Sequence, residues 1–157
     1  MGSRTPAIAA VTVAVLVAGG ALAVAGGSDR SPTTRLTVQI ETQALTVVDT
    51  GATGSSPGDL VLEQDNLKRD GRPVGTAQAT CSAHTGSLVN GSAQCSGTFY
   101  LRQGRLQTQG DARSVNGSGS GAGAVTGGTG RYLGVRGSYE FETTEGTTRL
   151  IRFRLIR

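Results

Sequence analysis

The stretch Val125-Thr126-Gly127-Gly128-Thr129-Gly130-Arg131-Tyr132-Leu133-Gly134-Val135-Arg136-Gly137, continuing into Ser138-Tyr139-Glu140-Phe141-Glu142, decides how this chain is read. Its crowded glycines permit a backbone path with positive φ that a Cβ would block. The alternation of apolar and polar residues after Arg136 marks a half-buried strand. The same signal extends outward along the chain. After residue 30 helical periodicity is nearly absent, and short runs rich in Val, Thr, Leu and Phe alternate with turn residues, the pattern of an antiparallel sheet or barrel. Strands are expected at 35–49, 59–66, 74–84, 93–101, 105–110, 121–126, 136–143 and 148–156, eight in all. Gly54-Ser55-Ser56-Pro57-Gly58, Arg69-Asp70-Gly71-Arg72-Pro73, Arg102-Gln103-Gly104 and Glu145-Gly146 supply turns between them.

The last two strands fix a register. Tyr139 and Phe141 share one face of the seventh strand, and Ile151, Phe153 and Leu155 share one face of the eighth. Those faces coincide only if the loop holds an odd number of residues, such as Thr144-Glu145-Gly146 with Gly146 left-handed. The opposite face then gathers Glu140 and Glu142 with Arg152 and Arg154, charge pairs suited to a wet surface. An apolar inner face and a charged outer one describe a barrel wall. The glycine-rich segment 114–130 has the composition of a linker, yet too little chain follows it to build a second core. It reads as an irregular excursion followed by a small-residue strand near the rim of a closed sheet.

The first residues do not belong to that sheet. Arg4 precedes an apolar run from Ala7 to Ala18 broken only by Thr12, and Ala21-Leu22-Ala23-Val24-Ala25 offers small residues at the spacing of a signal-peptidase site. Cleavage after Ala25 is expected, with Ala23 as the second choice; the rival is an uncleaved membrane anchor facing outside. The expected organisation is a signal segment at 1–25, a linker at 26–34 and one barrel domain at 35–157. Cleavage lowers the formal charge of +4 by one, through Arg4. Arg149, Arg152, Arg154 and Arg157 interleave with Leu150, Ile151, Phe153, Leu155 and Ile156 as in a strand, so nucleic-acid binding is not expected. Cys81 and Cys95, the two cysteines of an exported chain, are expected to pair. They can lie opposite each other if their strands form a hairpin closed by a loop from Thr85 to Ser92. With His84 as the single histidine, a zinc site is not expected.

Two familiar chemistries lack their residues. No Gly-Lys-Ser/Thr follows the Gly127-Gly128-Thr129-Gly130 cluster and no helix opens after it, so it reads as a turn rather than a phosphate cradle. No nucleophile elbow is present for a hydrolase, and one histidine leaves little room for a triad. The second strand, Asp59-Leu60-Val61-Leu62-Glu63-Gln64-Asp65-Asn66, is more informative. Period two puts Val61, Glu63 and Asp65 on one face and Leu60, Leu62 and Gln64 on the other. Burial cost favours leucines inward. If the carboxylates point inward instead, an apolar cavity raises their pKa and suits them to acid or base work.

Four motifs in order carry a resemblance. Gly58-Asp59-Leu60-Val61 resembles the GDLV strand of allene oxide cyclases, and Val74-Gly75-Thr76-Ala77-Gln78-Ala79 is similar to the dirigent VGRAQG. Cys95-Ser96-Gly97-Thr98-Phe99-Tyr100-Leu101 with Gly104-Arg105-Leu106-Gln107-Thr108-Gln109-Gly110 looks like the C-x-x-T-F-x-L…G-x-I-x-x-Q-G run of bacterial relatives. The glycine block ending at Arg136-Gly137 matches the closing signature. The chain thus resembles the allene oxide cyclase-like and dirigent-like barrels over about residues 58–143. The resemblance implies an all-β, eight-stranded antiparallel up-and-down barrel around an apolar cavity, lipocalin-like in architecture. Family activities are cyclisation of an unsaturated epoxide, steering of radical coupling and cycloaddition, and none requires a cofactor.

Carried over residue by residue, Asp65 falls at a cavity asparagine of the cyclases and Glu63 at a cavity phenylalanine, which tips the second strand toward inward carboxylates. Asp49 is the nearest substitute for a missing first-strand glutamate, and Thr76 replaces the dirigent arginine. Glu63, Asp65 and Asp49 are therefore the candidate acid/base groups. Val61, Gln78, Tyr100, Arg136, Tyr139 and Phe141 are the candidate substrate contacts. The implied function is a cofactor-free cyclase or isomerase acting on an apolar unsaturated small molecule, with a non-catalytic ligand carrier as the alternative and a filled structural barrel as a third reading. The absent glutamate argues against a true allene oxide cyclase, export fits poorly with an intracellular fatty-acid pathway, and the absence of Trp leaves little stacking surface. The expected partner is a hydrophobic ligand, with no nucleic acid, membrane contact only through an uncleaved N-terminus, and a homo-oligomer possible.

Overall fold

A computed structural model describes residues 32–87, 90–145 and 148–157. The strands are β1 (Thr33–Val48), β2 (Leu60–Arg69), β3 (Arg72–Gly86), β4 (Gly91–Leu101), β5 (Gly104–Val115), β6 (Ser118–Gly128), β7 (Arg136–Glu145) and β8 (Thr148–Ile156). Each pairs antiparallel with the next, and β8 returns to β1 through Leu36 opposite Phe153 and Val38 opposite Ile151, closing the barrel. The eight strands come in the expected order. The N-terminal reading at residues 1–31 and the Gly146 turn lie outside the described residues.

The final hairpin has the expected register: Tyr139 lies opposite Phe153 and Phe141 opposite Ile151, all on the inside. A bulge between Thr143 and Glu145 shifts the register by the residue that brings the two apolar faces together. Outside, Arg152 meets Glu142 at 2.8 Å and Glu140 at 3.8 Å, while Arg154 stands opposite Ser138.

The glycine-rich segment differs from expectation. It is regular strand on both sides of a two-residue turn, Asn116-Gly117, with φ of 50° and 80°. Asn-Gly with both residues left-handed is the connection that matches strand twist, and that signal outweighs the linker-like composition. At Gly121 and Gly123 of β6, aromatic rings and the neighbouring backbone occupy the space a side chain would need. A Cβ on Gly123 would sit 2.8 Å from Cε1 of Tyr139, and one on Gly121 would run into the ring of Phe141.

The Gly127–Gly130 cluster leads into a 3₁₀ turn, Gly130–Tyr132, at the same end of the barrel as the β4–β5 turn. The Thr129 N–H donates to the Arg105 carbonyl at 2.9 Å, and the Arg131 N–H to that of Gln103 at 2.8 Å. Val135 and Tyr132 then enter the core. This block plugs one end of the barrel, in keeping with a turn rather than a ligand cradle.

Side-chain size changes along the barrel axis, and that gradient makes the site. Near the plug, Val38, Leu67, Phe99, Leu106, Val125, Phe153 and Leu155 fill the interior, with Phe99 and Phe153 edge to face at 5.0 Å. Toward the other end, the inner positions of β3 and β4 are Ala79, Cys81, Ala83, Ala93, Cys95 and Gly97, and those of β5 and β6 include Ala112 and Gly119. Such residues cannot fill a barrel of this circumference. One end is a packed floor and the other is hollow.

Candidate functional site

The hollow half holds a cavity of about 560 Å³. Its walls are mainly apolar or small, from Ile40, Val61, Ala77, Phe99, Tyr139, Phe141 and Ile151. The rim is polar, with Ser87, Ser92, Arg113, Ser114 and Thr143. The mouth is asymmetric because β1 pairs with β8 only as far as Glu41 opposite Thr148, but with β2 as far as Val48 opposite Leu60. A bulge at Gln43 shifts the alternation, so that Leu45 lies opposite Glu63 and Val47 opposite Val61 on the inner face of this projecting ribbon. Leu45 and Val47 are 54% and 46% exposed, an apolar lip over the opening.

The loop joining β1 to β2 is held by Asp59, whose carboxylate accepts N–H bonds from Ser56 at 2.7 Å and Thr50 at 3.1 Å. The Ser56 N–H, followed by that of Thr50, holds this carboxyl below the usual range. Asp49 belongs to the same loop. It is exposed and accepts the Gly54 N–H at 3.0 Å, so this candidate acid/base group is a loop brace that does not line the cavity.

On β2 the carboxylates face inward. Val61, Asp65 and Leu67 are buried and Glu63 half-buried, while Leu62 is exposed. The cost of burying them is offset by an arginine from β8. Arg149 reaches Glu63 Oε2 with Nη1 at 2.8 Å and Asp65 Oδ1 with Nη2 at 3.1 Å, and Nη2 also donates to Thr42 Oγ1 at 3.0 Å. The side chains of Arg149, Glu63 and Asp65 are 18%, 13% and 4% exposed. A buried charge needs such a partner. Arg149 belongs to the candidate site and is not among the residues expected there from the sequence. Counting back in twos from Phe153 and Ile151 puts it on the inner face.

Burial raises the pKa of Asp65, and the nearby Glu63 adds to the rise; the Arg149 charge and hydrogen bonds from Thr42 and Arg149 oppose it. A carboxyl raised in the folded state costs stability as pH climbs from its unfolded value through its folded one. Asp65→Asn removes that cost and leaves Glu63 on Arg149. The stability of this variant relative to wild type is therefore expected to improve as pH rises from about 4 to 7 in urea titrations. A gap that is constant or widens over this range would contradict a raised Asp65.

The other candidates separate by strand face. Val61, Tyr139 and Phe141 line the cavity. Burial, with the Asp111 charge second, raises the Tyr139 phenol against an opposing hydrogen bond from Thr108. Gln78 alternates with the inward Ala77 and Ala79, so its side chain is exposed on the outer wall, where Tyr100 Oη donates to it at 3.3 Å. Tyr100 also stacks under the Arg105 guanidinium at 5.0 Å. Arg136 is exposed, at the plugged end beside Ile156. Tyr100 and Arg136 are not among the lining residues and correct the expectation for those two positions. Gln78 borders the cavity along β3, as expected, although its side chain turns outward. Alternation at Gln78 could have found this, since its neighbours are the small inward residues.

Cys81 and Cys95 form the expected disulfide, directly opposite on β3 and β4 with Cα atoms 4.0 Å apart, and both line the cavity. The bond is consistent with an extracellular protein. Among the described residues, no helix is long and apolar enough to cross a membrane.

No protein-family model matches the chain. No curated protein sequence matches it either. Solved structures do. A pyocyanin demethylase superposes with a TM-score of 0.66 at 22% identity, over 78% of this chain and 99% of that one. A pterocarpan synthase dirigent protein gives 0.57 at 16% identity, over 80% and 83% of the two chains. A Diels Alderase from Streptomyces koyangensis gives 0.55 at 16% identity, over 78% of this chain and 63% of its own. The dirigent protein among them agrees with the resemblance read from the motifs. At these identities the likeness is one of fold: the chain is a closed antiparallel barrel of the architecture found in dirigent and cyclase-like proteins.

Proposed function

We propose that this protein is an exported barrel that binds an apolar, unsaturated small molecule in its cavity and steers its cyclisation without a cofactor. The observation that carries the reading is a mostly apolar cavity of about 560 Å³ with an ionic cluster, Glu63–Arg149–Asp65, set into its wall. An apolar cavity restricts a flexible chain to folded conformers, which lowers the entropic part of a ring-closing barrier. Paired carboxylates in a low-dielectric wall stabilise positive charge as it develops, and the raised Asp65 supplies or accepts a proton. The dirigent and Diels Alderase barrels lend support, since a pterocarpan synthase and a Diels Alderase both act on organic small molecules. Export is supported by the disulfide and by the signal-like composition of residues 1–25.

The test is product analysis. Linear polyenes that close slowly in buffer are incubated with the secreted protein, and ring products are resolved by chiral chromatography. Faster closure with one enantiomer in excess is expected, falling about a hundredfold in Glu63→Gln or Asp65→Asn. Polyenes that bind yet are recovered unchanged, with both variants indistinguishable from wild type, would make the protein a carrier.

A further inference from the structure

The charges of the cavity define the head group of its ligand. Among the described residues lining it, the charged ones are Glu63, Asp65, Arg149 and Arg113, and Arg113 is exposed at the rim. Inside, two carboxylates face one guanidinium. Both terminal nitrogens of Arg149 already hold a carboxylate. Its Nε is buried without a partner, away from any ligand. The cation is therefore spoken for. Glu63, in contrast, uses Oε2 for Arg149, and among the described residues nothing donates to its Oε1. An acceptor oxygen is available in an apolar chamber that has no cationic donor to spare.

We propose that the cavity selects an apolar ligand whose one buried polar group is a hydrogen-bond donor, a hydroxyl or an ammonium set against Glu63 Oε1, and that it rejects carboxylates. This rests on the ligand-binding part of the function proposed above. A donor takes the place of water on this oxygen as the ligand covers it, so the carboxylate keeps a partner when the cavity is filled. A carboxylate entering the same space meets two like charges and must shed its own hydration without return. Selectivity thus arises from repulsion as well as attraction.

The probe is N-phenyl-1-naphthylamine, a neutral dye that fluoresces in apolar surroundings. Decanol, decylamine and decanoate, of equal chain length, compete against it at neutral pH and physiological ionic strength, where the exposed Arg113 is screened. Decanol and decylamine are expected to displace the dye at concentrations about tenfold or more below decanoate. In the Glu63→Gln/Asp65→Asn double variant Arg149 has no carboxylate partner, and decanoate is expected to become the best competitor of the three. Equal displacement by decanoate and decanol from wild type overturns the proposal whether or not the variant folds. An unchanged order in a folded double variant overturns it as well. Failure of the dye to bind wild type would remove the ligand-binding reading and this one with it, whereas a bound dye displaced without selectivity removes only this one.

Discussion

Arg149→Met is expected to destabilise the barrel by about 3–5 kcal/mol near neutral pH. Methionine replaces the aliphatic stem and fits an irregular gap, so the loss is mainly of charge. Glu63 and Asp65 then share one wall of a low-dielectric chamber, with the Thr42 hydroxyl left as a hydrogen-bond partner of Asp65. Asp65, raised already by burial, loses the opposing Arg149 charge and is pushed further above its unfolded pKa of about 4. A group raised on folding contributes its full stability below the unfolded pKa and loses it as pH climbs through the folded one. The deficit of this variant should therefore shrink as pH falls toward 4, the direction in which acid usually unfolds proteins. Adding Glu63→Gln and Asp65→Asn to Arg149→Met should restore most of the loss at neutral pH. Urea midpoints across pH, with the slope unchanged, measure it. A variant within about 1 kcal/mol of wild type at every pH would show the carboxylates to be solvated, as surface pairs are.

The second large effect belongs to the disulfide. Replacing Cys81 and Cys95 together by alanine should cost about 3 kcal/mol, the value for a closed loop of about 15 residues. Alanine fits, because the next inward pair along the same two strands is Ala83 opposite Ala93. The loss should then reflect the cross-link rather than a steric fault. Reduction of the wild type should shift the urea midpoint by a similar amount. A double variant as stable as the oxidised protein would mean that the β3–β4 hairpin restrains the unfolded chain by itself.

These effects turn on residues of unequal legibility. The barrel could be read from the chain because alternation is a local signal: Tyr139, Phe141, Ile151 and Phe153 declare their face without reference to anything distant. The disulfide was legible for the same reason, through hairpin arithmetic. Composition misled where it replaced pattern. The glycines of 114–130 suggest an irregular excursion, yet Asn116-Gly117 is a hairpin turn, and Gly121 and Gly123 leave space for the rings of Phe141 and Tyr139 on β7. The carboxylates of β2 stayed ambiguous because their burial depends on a partner 84 residues away, Arg149, which no local pattern pairs with them. Motif likeness aligns Gln78 and Tyr100 along their strands but says nothing of the face each side chain takes. Asp49 failed as a substitute for a strand residue because the strand ends at Val48 and the carboxylate is drawn into the loop.

The hollow half of the barrel is where fold and proposed function meet, since small residues at Ala79, Ala83, Ala93 and Gly97 leave space that larger ones would close. Ala79 lies directly opposite Glu63. A tryptophan there should occupy the chamber beside the ionic cluster without disturbing the plugged end. Fluorescence titration with N-phenyl-1-naphthylamine is the most direct measurement. Saturable binding of one dye per wild-type barrel, abolished by Ala79→Trp in a protein that still unfolds cooperatively, is the predicted result. Equal binding by wild type and Ala79→Trp, or none by wild type, would contradict the account.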